Sequence, residues 1–116
     1  MWQVKQLQFV NDAAQEETRE LPLAIRKAIG FQLQRVQRGE MPEDFKPMKS
    51  VGAGVYEIRA GDEHGNNVGR CFYVAKFGDT VWVLHSFIKK APKTPKTDLE
   101  IGIKRYKELL KRIERG

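Results

Sequence analysis

Five side chains carry most of the chemistry available to this sequence: Arg59, Arg70, His85, Lys89 and Lys90. Arg59 and Arg70 sit in strand-like runs, Val55–Ala60 and Val68–Phe77, and the other three close a third run that begins at Thr80. Alternation sends successive side chains to opposite faces of a sheet. Arg59 therefore shares a face with Val55 and Glu57, and Arg70 shares one with Phe72 and Val74. An arginine on an apolar face needs a partner or an open cleft. A structural salt bridge to Glu57 or a neighbouring acid is one answer. The other is that antiparallel pairing gathers Arg59, Arg70, His85 and Lys89 on one concave surface. Such a surface would hold a bent phosphodiester and stabilise the charge of its transition state.

RNA brings its own nucleophile, the 2′-hydroxyl, so a metal-free cut needs only a base, an acid and cations around the phosphate. Histidine titrates near neutrality and is the usual base, which makes His85 one candidate. A lysine crowded by other cations is another, because like charges lower its pKa, and Lys89 and Lys90 both qualify. His85 reads equally well as a satisfied buried histidine. Behind Lys90 the loop Ala91–Lys96 is stiffened by Pro92 and Pro95, which reduces the entropy lost on engaging a partner. Lys93 and Lys96 in that loop, with Lys49 in the segment before the sheet, are candidate RNA contacts.

Other chemistries find little support. His64, His85 and Cys71 form neither a CxxC nor an HxxxH pair, so no metal site or cofactor is expected. There is no glycine-rich phosphate loop and no GxSxG elbow. Cys71 inside a strand reads as a small core residue. Glu16, Glu17 and Glu20 read as the solvated face of a helix.

The elements that must position these residues follow from periodicity. Residues 2–10 are strand-like. Asn11 or Asp12 caps a short helix reaching about Glu20, which Pro22 interrupts. A second helix presents Ile25, Ala28, Ile29, Leu33 and Val36 on one face and ends at Gly39. Residues 40–53 read as loop. Three strands joined by short turns then predict an antiparallel meander with Val68–Phe77 in the middle. Thr97-Asp98-Leu99-Glu100 fits a capping box, followed by a helix to about Glu114 whose inner stripe is Leu99, Ile103, Tyr106, Leu110 and Ile113. The expected order is β-α-α-β-β-β-α, an α+β fold with an antiparallel sheet packed against helices, as one domain over 1–116.

Charge is unevenly distributed. The chain has 21 basic and 15 acidic residues and a net charge of +6. All of that excess lies in residues 85–116, the preceding segment being balanced. A one-sided basic surface suits a polyanion, although a lysine-rich helix can also be simply solvated. No apolar run approaches the roughly 20 residues of a membrane span, and no signal-peptide core is visible at the start. With one cysteine, the composition fits a reducing cytosol and a cytoplasmic location.

The strings Val55-Tyr56-Glu57-Ile58-Arg59, Gly69-Arg70-Cys71-Phe72-Tyr73 and Val83-Leu84-His85-Ser86-Phe87-Ile88-Lys89-Lys90, with Lys93-Thr94-Pro95 behind them, resemble the RelE/HigB superfamily of toxins. More narrowly, they resemble its phage-derived, HigB-like branch. The resemblance spans nearly the whole chain and implies a RelE-like fold. It implies the toxin of a type II toxin–antitoxin system, a metal-independent and ribosome-dependent endoribonuclease that cleaves mRNA by 2′-hydroxyl attack. Carried over by position, Arg59 and Arg70 would stabilise the phosphate, Lys89 and Lys90 would supply further positive charge, and His85 matches a histidine of this branch. Relatives have lysine where this chain has Glu57. The resemblance also implies a helix-turn-helix antitoxin, through which alone the toxin would reach operator DNA, with ribosome and mRNA as the other partners and no membrane. The alternative is a non-catalytic nucleic-acid or ribosome-binding module, an inactivated toxin. On this reading Arg70→Ala abolishes growth inhibition and leaves the fold intact.

Overall fold

The computed structural model describes residues 4–61, 67–89 and 94–116. Strand β1 (Gln6–Phe9) leads into helix α1 (Asp12–Arg19), whose N-cap Asn11 accepts a 2.8 Å hydrogen bond from the Ala14 amide. This satisfies one of the free amides of the first turn. Pro22 ends the connection, and helix α2 (Leu23–Gln37) begins at the next residue. Ile25, Ile29, Leu33 and Val36 are buried along one side of it. Gly39, with φ of 85°, takes the left-handed turn that closes the helix.

The segment expected to be all loop contains a three-residue strand, β2 (Phe45–Pro47). Proline misled the reading: it is tolerated at a sheet edge, where its missing amide costs nothing. The Gln32 side chain sets this strand up by bonding both the backbone amide and the carboxylate of Glu43, each at 2.7 Å. Strands β3 (Val55–Gly61), β4 (Val68–Val74) and β5 (Thr80–Lys89) form the expected antiparallel meander, with β4 central in the order β1-β5-β4-β3-β2. β1 is the exception to the antiparallel expectation, because it pairs parallel to β5, Gln6 opposite Thr80. The fold is thus α+β, with a mostly antiparallel five-stranded sheet covered by helices on both faces.

Helix α3 (Lys96–Arg115) lies over one face. The anticipated capping box does not form: Pro95 is the N-cap, no side chain caps the helix, and Asp98 bonds elsewhere. The buried line of α3 is Gly102, Tyr106 and Leu109, while Ile113 is exposed, so the stripe is rotated from the expected one. Gly102 explains the rotation. A Cβ there would meet the Phe72 ring at 2.9 Å and Val51 at 3.1 Å, so the missing side chain is what lets helix and sheet approach. Alanine normally favours a helix over glycine by about 1 kcal/mol. Here Gly102→Ala is expected to destabilise instead, by about 1–3 kcal/mol from overpacking. A urea midpoint at or above wild type would contradict this packing.

One core, containing Phe72, Val74, Leu84, Tyr106 and Leu109, lies between the sheet and α1 and α3. A second, containing Ile25, Ile29, Leu33, Ile58 and Tyr73, lies beneath α2. No helix among the described residues is long and apolar enough to cross a membrane.

Candidate functional site

Strand register builds the site on the face covered by α3. One cross-strand row reads Lys46, Glu57, Phe72, His85, the next Arg59, Arg70, Phe87, and the last pairs Val68 with Lys89. A register shift between Phe72 and Tyr73 leaves Leu84 as an extra residue in β5. This bulge changes which residues of β5 face α3: Leu84 joins the core there, and the adjacent His85 faces the same side.

Arg59 and Arg70 stand directly opposite one another. Like charges in that position repel. Burial sharpens the problem, since Arg70 is only 2% exposed, and the buried Nε atoms of both arginines have no hydrogen-bond partner among the described residues. Such orphan donors cost about 1–3 kcal/mol each and call for an explanation. The charge is partly offset by Glu57, which is 0% exposed. Its Oε1 accepts from Arg70 Nη1 at 2.7 Å and lies 3.9 Å from Lys46 Nζ, while its Oε2 accepts from the Thr94 hydroxyl at 3.2 Å. Lys89 Nζ donates in turn to the Thr94 hydroxyl at 3.3 Å. Burial, then the nearby Arg70, hold the Lys89 amine below the usual lysine range. Arg70 and Lys46 thus share the Glu57 carboxylate, and Lys89 reaches it through the Thr94 hydroxyl.

His85 lies on the same face but in a different nest. Its ring stacks on Phe87 at 4.9 Å, and Phe72 packs edge-on against Phe87 at 5.3 Å. Its Nδ1 is 2.8 Å from Glu17 and its Nε2 2.7 Å from Asp98. Arg105 completes the nest with two bonds to Glu17, at 2.7 and 2.8 Å, and one to the Leu84 carbonyl. Burial raises the Glu17 pKa, but the hydrogen bonds and charges of His85 and Arg105 outweigh it and hold the group at about 2. Glu17 is therefore not a solvated residue of α1, as its neighbour Glu16 is. It fastens α1 to β5 and α3.

The structure brings together Arg59, Arg70 and Lys89. It sets His85 apart, with both nitrogens engaged. Lys49 is exposed in the turn after β2, and Lys96 is exposed at the start of α3, 3.9 Å from Glu100. Lys90, Lys93 and His64 lie outside the described residues. Sequence reasoning missed Lys46 and Thr94, and it treated Glu57 as a gap in the cationic cluster when it is the centre. An acid at an inward position between Tyr56 and Ile58 was the available signal. The Cys71 thiol is buried and pushed up to about 12 by desolvation, so it is no nucleophile. Among the described residues no group of three or more His, Cys, Asp or Glu is placed to hold a metal ion.

The sequence matches the family model described as Phage derived protein Gp49-like (DUF891) over residues 16–107. The chain belongs to this family. No curated protein matches it significantly. The Gp49-like match takes in every described residue of both polar nests: it begins at α1, ahead of Glu17, and ends within α3, past Arg105. β1 lies before the matched region, although it completes the sheet beside β5.

Proposed function

We propose that this Gp49-like chain is the toxin of a type II toxin–antitoxin system and a metal-independent endoribonuclease that cuts mRNA on the ribosome. The observation that carries this reading is the Arg59–Arg70 pair: two guanidinium groups directly opposed across strands, with no hydrogen-bond partner for either Nε among the described residues. A phosphodiester is an anion of the right charge to join such a pair. Arg59 and Arg70 grip its non-bridging oxygens and stabilise the charge that builds there. Lys89, held below the usual lysine range, takes the 2′-hydroxyl proton as the neutral amine. The 2′-oxygen then bonds to phosphorus, and the bond from phosphorus to the 5′-oxygen breaks. The departing oxygen takes a proton from water, leaving a 2′,3′-cyclic phosphate and a 5′-hydroxyl. Ribosome and mRNA are the partners in this act. A helix-turn-helix antitoxin, acting in the cytoplasm, restrains it and links it to operator DNA.

One arrangement favours the second reading, a binding module without cleavage. Glu57 fills the middle of the cationic cluster, and His85 has no open nitrogen to serve as acid.

The test is expression from a tightly repressed promoter with mapping of mRNA 5′ ends after induction. Growth arrest with new 5′-hydroxyl ends inside translated frames, lost in Arg59→Ala, is expected. Arg59 is the right target because, unlike Arg70, it makes no bond to the buried Glu57, and its Nε has no partner among the described residues. Ribosome association without new ends would replace the nuclease with the binding module, and an equally active Arg59→Ala would overturn the site.

A further inference from the structure

A second cationic surface lies at the opposite end of the same sheet face, and the cleavage reading makes no use of it. A groove of about 570 Å³ runs between the β4–β5 turn and the last turns of α3. Two aromatic rings line it, and each has a cation over its face. The Arg112 guanidinium sits 5.1 Å from the Trp82 ring centre, and Lys76 Nζ sits 5.1 Å from that of Phe77. Arg112 is exposed yet not free to swing: Nη1 also donates to the Val10 carbonyl at 3.3 Å. A side chain held at two points has already lost rotamer freedom that binding would otherwise cost. Lys111 and Arg115 are exposed in the same turns of α3, and Lys5 is fixed to the groove's turn by a 2.7 Å bond to the Gly78 carbonyl. Against these stand Asp79, which lines the groove, and Glu114, exposed in the same turn of α3.

We infer that this groove is a binding site for single-stranded RNA. A base stacks on the outer face of the Arg112 guanidinium, which lies over the Trp82 ring, and the adjoining phosphates lie toward Lys76 and the cations of α3. Paired aromatic and cationic groups along a groove suit this ligand, because every base offers a flat face and every nucleotide a charge. A helical protein partner would instead call for a broad apolar strip, and here the apolar rings are capped by charge. The inference does not depend on cleavage at Arg59 and Arg70.

The probe is a fluorescein-labelled 2′-O-methyl RNA of about 12 nucleotides, long enough to span such a groove and immune to 2′-hydroxyl attack. Binding is read by anisotropy across a salt series. In a Trp2→Phe background, where Trp82 is the only indole, it is also read by tryptophan quenching. Arg112→Glu is expected to weaken binding about tenfold and to reduce the salt slope by about one. Arg112→Lys should keep the salt slope and lose part of the quenching, a split that a general charge effect would not produce. A folded Arg112→Glu that binds as wild type overturns the inference, as does RNA binding that leaves Trp82 unquenched. Loss in Arg112→Glu from a wild-type chain that yields no new mRNA ends would uphold the groove and remove the nuclease. Wild-type cleavage with an indifferent groove would do the reverse.

Discussion

Arg70→Ala is expected to lose about 3–5 kcal/mol of stability, because it strands a carboxylate inside the protein. Glu57 is fully buried, and Arg70 gives it its shortest bond, 2.7 Å. After the substitution Glu57 keeps the Thr94 hydroxyl and a 3.9 Å approach from Lys46, too little to hold a charge out of water. A small domain commonly has only about 5–15 kcal/mol in reserve, so much of the variant would be unfolded or degraded in the cell. This corrects the expectation that Arg70→Ala spares the fold, and a loss of toxicity in that variant would say little about catalysis. Urea unfolding decides the point. Glu57→Gln added to Arg70→Ala removes the stranded negative charge while keeping an acceptor for the Thr94 hydroxyl, and should recover part of the loss. A single variant within about 1 kcal/mol of wild type would mean that Glu57 has another sufficient partner.

Acid should loosen the other nest. Glu17 has a pKa near 2 in the folded protein against 4.5 for the unperturbed group. A carboxyl depressed on folding stabilises the native state above its unfolded pKa, and the contribution fades as pH falls through the folded one. At about 1.4 kcal/mol per unit, Glu17 contributes about 3 kcal/mol at neutral pH, present in full above roughly pH 5 and gone near pH 2. Glu17→Gln should therefore be less stable than wild type by a similar amount at pH 7, with the two curves converging as pH drops from about 4.5 toward 2. A constant gap between them across that range would show that the loss is one of shape and not of charge. Stabilities taken from urea melts at several pH values distinguish the two.

Strand alternation was enough to place Arg59, Arg70 and Lys89 together, since the pleat fixes which residues share a face. It could not place Leu84 beside His85 on that face, because a bulge inserts a residue without marking the sequence. Nor could it assign Glu57. Beside Arg59 in the chain, that acid reads as a surface partner, and only the register shows that its bond goes to Arg70 on the next strand. Glu17 was hidden for a related reason: three glutamates on a short helix look solvated until a helix from the far end of the chain supplies Arg105. The three-residue β2 was too short to show a period. The parallel pairing of β1 with β5 is likewise silent locally, because it joins segments more than seventy residues apart.

That last distance has a consequence for how the protein comes into being. β1 is synthesised more than seventy residues before its partner β5, and the Glu17 nest waits still longer for Arg105, 88 positions after Glu17. Closing such long loops is entropically expensive and is repaid only when the late segments arrive. The emerging chain therefore leaves α1 without its β5 and α3 partners until those segments follow, and the nests are completed only when Thr94 and Arg105 have been made. A chain whose elongation stops before Thr94 has neither its hydroxyl over Glu57 nor Asp98 against His85.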